Sequence, residues 1–241
     1  MAVLEVTGLR KEFGGVVALA GVDLSVGRDE IIGVIGPNGS GKTTLFNVVT
    51  GQHQPTAGRV VWQGADITGR PPHRIAHQGL VRTFQQAMSF PALSVRENVR
   101  IAVEHGRSRG GARTPQWHSP DEILGFVGLG GLGEAIAGSM PFGNLRRLGI
   151  AVALGVNPLL LLLDEPAAGL SDNEADQLTE LIARLPALGI GVCLIDHHMF
   201  LMSALCKRLI VLNFGTKIAE GPPERVLHDP KVMEVYLGKD L

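Results

Sequence analysis

The sequence predicts an α/β fold with a mostly parallel sheet, antiparallel strands near the N-terminus and a small helical insertion. Three observations predict it. Short apolar runs recur at EIIGVIG (30–36), LLLLLDEP (159–166) and GIGVCLIDHH (189–198). Each is too short for a helix and almost wholly apolar, as a strand buried on both faces of a parallel sheet must be. Segments with helical spacing separate them, and parallel strands require such crossovers. The composition is 45% hydrophobic with only 5% aromatic residues, and mean hydropathy is +0.20. A fully buried aliphatic sheet accounts for that balance, and so does an apolar face that a partner covers.

The elements follow in order. AVLEVTGL alternates as a strand does, and VVALAGVDLSV reads as a second strand. EIIGVIG ends in glycine and proline, and KTTLFNVVTG continues as a helix closed by Gly51. GRVVWQG is a strand between glycines, and PPHRIAHQGL opens as a helix with its prolines in the first turn. From Pro91 the texture turns helical. VRENVRIAVEH and SPDEILGFVGL have helical spacing, Ser119 caps the second, and GRSRGGARTPQW reads as a flexible loop between them. Two buried strands then flank the helix DNEADQLTELIARLPAL, and RLIVLNFGTKIAEG looks like a hairpin of edge strands. The expected organisation is a core of residues 1–90 and 141–241 with a helical subdomain at 91–140.

At 241 residues the chain suits one large α/β domain or a core with an inserted subdomain. A net charge of −1 argues against a general binder of nucleic acid or other polyanions. Cys193 and Cys206 lack ligand-like spacing, which points to a reducing compartment. MAVLEVTGLR has no basic start or long apolar core, so no signal peptide is expected. The longest apolar run, Leu159 to Leu163, is far too short to cross a bilayer.

The chemistry sits at two of the strand ends. GPNGSGKTT comprises Gly36, Pro37, Asn38, Gly39, Ser40, Gly41, Lys42, Thr43 and Thr44, and fits G-x-x-x-x-G-K-[ST] between a strand and a helix. Glycines let backbone N–H groups wrap a phosphate chain, and the helix N-terminus adds favourable potential. Lys42 is expected to reach the β- and γ-phosphates of ATP, and the Thr43 hydroxyl to meet Mg²⁺. LLLLLDEP places Asp164 at the C-terminal end of a buried strand, where α/β ligands bind. Asp164 is expected to hold Mg²⁺ directly or through water, and Glu165 to orient or deprotonate a water facing the γ-phosphate. Together these motifs mean a P-loop NTPase with a RecA-like core.

Three weaker signals narrow the class: Phe13 in RKEFGG, Gln85 in RTFQQ, and His197 in LIDHH at a strand end. In this order, and over essentially the whole chain, they resemble the ATP-binding cassette (ABC) transporter ATPases. The resemblance implies that Phe13 stacks on adenine. It implies that Gln85 senses Mg²⁺ and the attacking water and links them to transport subunits, and that His197 contacts the γ-phosphate. AAGLSD, Ala167 to Asp172, looks like the segment where two such subunits meet. LEVTGLRKEFGGVVAL, VRTFQQAMSFPALSVRENV, DEPAAGLSDNE and the C-terminal DPKVMEVYLG are similar to the subfamily serving branched-chain amino-acid uptake. That implies a second cassette as partner, two membrane permease subunits, a substrate-binding protein acting indirectly, and a peripheral place on the cytoplasmic face of the membrane. A soluble cassette ATPase outside transport, and a cassette that binds nucleotide with little hydrolysis, stay open as alternatives.

The family's signature segment, resembling L-S-G-G-Q, opens a helix before the Asp-Glu strand and grips the γ-phosphate held by the opposite subunit. Met140, Pro141, Phe142, Gly143 and Asn144 occupy its place. Gly143 matches. Pro141 stands where the serine belongs and has neither hydroxyl nor N–H. Asn144 replaces glutamine and is expected to serve as an N-cap. Arg146 and Arg147 agree with the family's basic pair. The segment is thus expected to be degenerate. GLGGLG (128–133) formally fits G-x-G-x-x-G but follows a helix-like segment, which argues against a dinucleotide role. His197 and His198, as strand neighbours, are expected to face opposite ways and not to share an ion.

Overall fold

The computed structural model describes residues 2–83, 89–107 and 116–237. Its strands are β1 (Ala2–Phe13), β2 (Val16–Gly27), β3 (Ile31–Ile35), β4 (Ala57–Trp62), β5 (Ala65–Asp66), β6 (Leu80–Arg82), β7 (Leu160–Asp164), β8 (Gly191–Ile195), β9 (Arg208–Asn213) and β10 (Thr216–Gly221). Its α-helices are α1 (Lys42–Val49), α2 (Pro72–His77), α3 (Val95–Arg107), α4 (Pro120–Phe126), α5 (Phe142–Gly155), α6 (Asp172–Ala183), α7 (Met199–Leu205), α8 (Pro223–Val226) and α9 (Pro230–Leu237).

The strands form two sheets, β2-β1-β4-β5 and β10-β9-β3-β8-β7-β6. The first is antiparallel throughout. In the second every pairing but β9–β10 is parallel. The fold class read from the sequence therefore holds, with one correction. The hairpin of β9 and β10 forms, but β9 is not an edge strand. It pairs in parallel with β3 and is buried along most of its length, and only β10 lies at the edge.

The uniformly apolar strands have a simple physical reason. Alternate residues of each strand feed two separate hydrophobic clusters, one on either face of the sheet. Ile31 and Ile35, Leu161 and Leu163, Val192 and Leu194, and Leu209 and Val211 pack toward the helices α3 to α7. Ile32 and Val34, Leu160 and Leu162, Cys193 and Ile195, and Ile210 and Leu212 pack toward α1 and the antiparallel sheet. With no solvent face, no alternation of polarity survives. Burying each such aliphatic side chain contributes about 1.5–3 kcal/mol, so the centre of the sheet is the rigid part of the molecule. Both cysteines are buried and free, and burial pushes the Cys206 thiol up to about 12 and Cys193 higher.

Local signals fix the helix ends. Ser119 accepts a hydrogen bond from the Glu122 N–H, with Pro120 in the first turn of α4. Ser94 and Glu97 exchange reciprocal caps at the start of α3, and Ser171 and Glu174 do so at α6. Gly51, at φ +76, ends α1. The insertion helices α3 and α4 pack on α5, and all three share the hydrophobic cluster that covers β7 and β8.

Candidate nucleotide site

β3 ends at Ile35 and the chain turns at once. Gly36, Gly39 and Gly41 have φ of +150, +78 and +104. A Cβ on Gly36 would overlap the Leu212 carbonyl oxygen, and one on Gly41 would lie 2.5 Å from the Ala18 oxygen. The loop thus needs glycine for conformation and for space. Ser40 N donates to the Pro37 oxygen at 3.2 Å, and Leu45 N to the Gly41 oxygen at 2.8 Å, which launches α1. Thr43 is exposed in the first turn, with Thr44 half-buried beside it. Asn38 and Gly39 are exposed at the tip, with Pro37 half-buried. The Lys42 ammonium is buried and donates to the oxygens of Gly36 (2.8 Å) and Pro37 (3.0 Å). Burial pulls its pKa below the usual lysine value, against the opposing charges of Glu165 and Asp164. The two acids of LLLLLDEP therefore share an electrostatic neighbourhood with the loop lysine.

Asp164 closes β7 with its side chain only 7% exposed. Its Oδ2 meets Arg82 Nη2 at 2.6 Å, and Arg82 Nη1 donates to Asn47 Oδ1 at 2.6 Å. Glu165 follows at φ +47, an unusual backbone for a residue with a side chain, held by its N–H donating to Ile195 O at 2.7 Å. That backbone directs Glu165 toward β8, and its Oε1 lies 2.8 Å from His197 Nε2. Asp196 is buried between the loops and accepts from Ala167 N (3.0 Å) and His198 N (2.9 Å). Burial lowers the pKa of Arg146, while Asp196 and Glu165 act to raise it. The end of the sheet is thus a cluster of three acids set among Lys42, Arg82, Arg146 and His197.

The donors suited to a metal here are the Thr43 hydroxyl and the Asp164 carboxylate, both hard oxygen ligands. Mg²⁺ is commonly bound through one or two carboxylates together with substrate phosphates and water, so this donor set fits it. Among the described residues no group of three or more His, Cys, Asp or Glu gathers as a self-sufficient metal cage.

The sequence reading misplaced two features. Asn144 is not the cap of α5. Pro141 is the N-cap, at φ −55 and ψ 151, without a side-chain cap, and Asn144 lies inside the first turn. The extended ψ of Pro141 sets the boundary, so the helix begins at Phe142. His197 and His198 are not strand neighbours either, because β8 stops at Ile195. His197 turns to Glu165, while the His198 ring accepts from Leu201 N and caps α7.

Around Pro141 the contacts are with the segment after β7. Arg146 donates to the Ala168 oxygen at 3.3 Å and stacks on the Phe142 ring at 4.6 Å. A Cβ on Gly143 would overlap Glu174 Oε1, and one on Gly169 would lie 3.2 Å from Phe142. Phe13, on the rim of the antiparallel sheet, is 42% exposed, with His53 edge-on at 5.3 Å and the Lys11 ammonium 4.6 Å from its ring centroid. Gln85 lies outside the described residues. Gly128 to Gly133 follow α4, with a short 3₁₀ turn at Gly130–Leu132. Sequence reasoning missed Arg82 and Asp196. Both stand inside quoted motifs, but Arg82 meets Asn47 and Asp164, and Asp196 meets Ala167, across 29 positions or more, which no local pattern encodes.

The family model described as ABC transporter matches residues 19–168, and one described as branched-chain amino acid ATP-binding cassette transporter matches residues 216–241. Among curated proteins, the high-affinity branched-chain amino acid transport ATP-binding protein BraF of Pseudomonas aeruginosa is 39% identical, covering 98% of each chain. The LivG protein of the same description from Escherichia coli is 37% identical, again over 98% of each. Among solved structures, the ADP conformation of MJ1267, an ATP-binding cassette of an ABC transporter, aligns with a TM-score of 0.88 at 32% identity. That alignment covers 99% of this chain and 100% of the other.

Proposed function

Because the chain belongs to the ABC transporter ATP-binding family, we propose that it is the ATP-hydrolysing subunit of an importer for branched-chain amino acids. The observation that carries this reading is the convergence at one sheet end of the Lys42 loop, Asp164, and the 2.8 Å pair of Glu165 and His197. Phe13 stacks on adenine. The backbone of residues 36–44 wraps the phosphates, and Lys42 exchanges its loop carbonyls for the β- and γ-phosphate oxygens. Thr43 and Asp164 would hold Mg²⁺, which would supply neutralisation of charge on the phosphates. Glu165 orients the attacking water and accepts its proton, and His197 fixes that carboxylate while facing the transferring phosphoryl. Gln85 reports on this site to the transport subunits.

The chain works as one of two cassettes on two permease subunits, at the cytoplasmic face of the membrane. Among the described residues no helix is long and apolar enough to cross a bilayer, so permeases supply the passage. The partner cassette brings an intact signature to the Lys42 site. The signature of this chain, with Pro141 in the serine position, serves the opposite site poorly.

Single-turnover hydrolysis of ATP by the purified chain, alone and with the cassette that shares its permeases, tests the reading. The expected result is a rise of at least about tenfold with the partner, and its loss in Glu165→Gln with nucleotide binding retained. Equal slow rates with and without that partner would overturn it.

A further inference from the structure

Arg82 is a deeply buried cation of the site, and the roles above give it no task. It ends β6, next to β7, with its side chain only 6% exposed. One arm of the guanidinium meets Asp164 Oδ2 and the other Asn47 Oδ1, both at 2.6 Å. The buried Phe46 ring lies beneath it at 5.6 Å. Asn47 is four residues after Thr43 on α1, so the two lie one turn apart on the same side of that helix.

We propose that Arg82 is a positioning residue for magnesium, spacing the helix that carries Thr43 against the strand end that carries Asp164. The inference rests on the reading of Thr43 and Asp164 as the Mg²⁺ pair. With Oδ2 held in the ion pair, the carboxylate cannot swing, and its second oxygen is presented in one orientation. With the other arm on Asn47, the distance from that carboxylate to the start of α1 is fixed as well. Only a planar fork can do both. A lysine keeps the charge but offers a single point of contact. Magnesium demands near-ideal octahedral geometry, so a small misplacement of either ligand weakens it, and outer-shell partners of metal ligands commonly control affinity ten- to a hundredfold.

Titration of Mn²⁺ into the full chain loaded with a non-hydrolysable ATP analogue, followed by electron paramagnetic resonance, reads this directly and does not depend on turnover. Arg82→Lys is expected to weaken Mn²⁺ binding about tenfold. Binding of the analogue in EDTA should stay within about twofold, because the contacts Arg82 makes to Asp164, Asn47 and Phe46 all lie outside residues 36–44. Asn47→Ala, which leaves the buried ion pair in place, is expected to weaken Mn²⁺ by about threefold, half the effect on a logarithmic scale. It also keeps the test open if Arg82→Lys fails to fold. Asp164→Asn should weaken Mn²⁺ most, and Arg82→Lys added to it should change less than about twofold, since the two act as one unit. If Asp164→Asn weakens Mn²⁺ while Arg82→Lys and Asn47→Ala titrate as the parent does, Arg82 is only a structural ion pair and the proposal is overturned. If Asp164→Asn itself binds Mn²⁺ as the parent does, the reading of Asp164 falls, and the proposal with it.

Discussion

The helices α1 and α5 both follow a loop that ends in a non-helical residue, Gly41 at φ +104 and Pro141 at ψ 151. The loop before α1 has three glycines with positive φ, and a buried ammonium lies against its carbonyl oxygens. Before α5 stands a proline without a donor, and the Glu174 carboxylate lies against Gly143. A helix N-terminus supplies only partial positive charge. What makes an anion site of it is the loop in front, with N–H groups turned inward and a cation beneath. α1 has the glycine-rich loop and the buried cation, and at α5 a carboxylate stands close by.

This contrast predicts unequal costs for the same change. Gly36→Ala combines backbone strain with a clash against fixed backbone, each worth about 1–3 kcal/mol. It is expected to destabilise the chain by about 3 kcal/mol or more, measured by denaturant unfolding. Gly143→Ala meets the Glu174 side chain, which can give way only by loosening its cap on Ser171, and should cost about 1 kcal/mol. Equal costs would mean that both loops are equally rigid and would remove the basis of the comparison.

Asp196 sharpens the same point. Its two oxygens tie the loop after β7 to the loop after β8. Asp196→Asn keeps one acceptor and sets an amide against a backbone N–H. The expected loss is about 2 kcal/mol in unfolding free energy, together with a slower hydrolytic step as His197 and Glu165 lose their mutual register.

Much of this was legible in the sequence, and the rest was hidden for definable reasons. β3, β7 and β8 announce themselves because two-sided burial leaves only aliphatic residues, and the glycine-rich turn before α1 because glycine spacing is dictated by backbone conformation. β9 looked like an edge because a hairpin turn follows it, yet pairing with β3 depends on residues over 170 positions away, which no local pattern encodes. Arg82 meets Asp164 across 82 positions, and Glu165 meets His197 across 32. Residue type alone suggests Asn144 as a cap, but Pro141, three residues earlier, fixes where the helix starts.

The carboxylate beside α5 gives a prediction in pH. The Ser171 hydroxyl and N–H hold Glu174 below the usual glutamate value of 4.5. A carboxylate depressed in the folded state contributes stability above its unfolded pKa and loses it as pH falls through the folded one. The difference in melting temperature between the parent and Glu174→Gln should therefore narrow as pH drops from 7 to below about 4.5. A constant difference would mean that the cap acts by shape and not by charge.

The smallest effect is expected where the signature is restored. Pro141→Ser supplies an N-cap hydroxyl to α5, worth about 1 kcal/mol. It also gives up the rigidity of proline, which costs about 0.4–1 kcal/mol through the unfolded chain. The net change in stability is a few tenths of a kcal/mol. Turnover is the better readout. With Asn144→Gln, the double variant offers the opposite site one new hydroxyl and a longer amide, and a neutral hydrogen bond made there is worth about 1 kcal/mol, or about fivefold in rate. ATP turnover by the assembled complex should rise by at most that factor, because the Glu174 carboxylate beside Gly143 still opposes an incoming phosphate. Adding Glu174→Gln, which keeps an amide acceptor for the α6 cap, should release a further gain if the carboxylate is what holds the restored segment back. A double variant that turns over ATP at the parent rate, with or without Glu174→Gln, would show that the opposite site does not limit turnover, and that Pro141 marks a segment with no phosphate to bind.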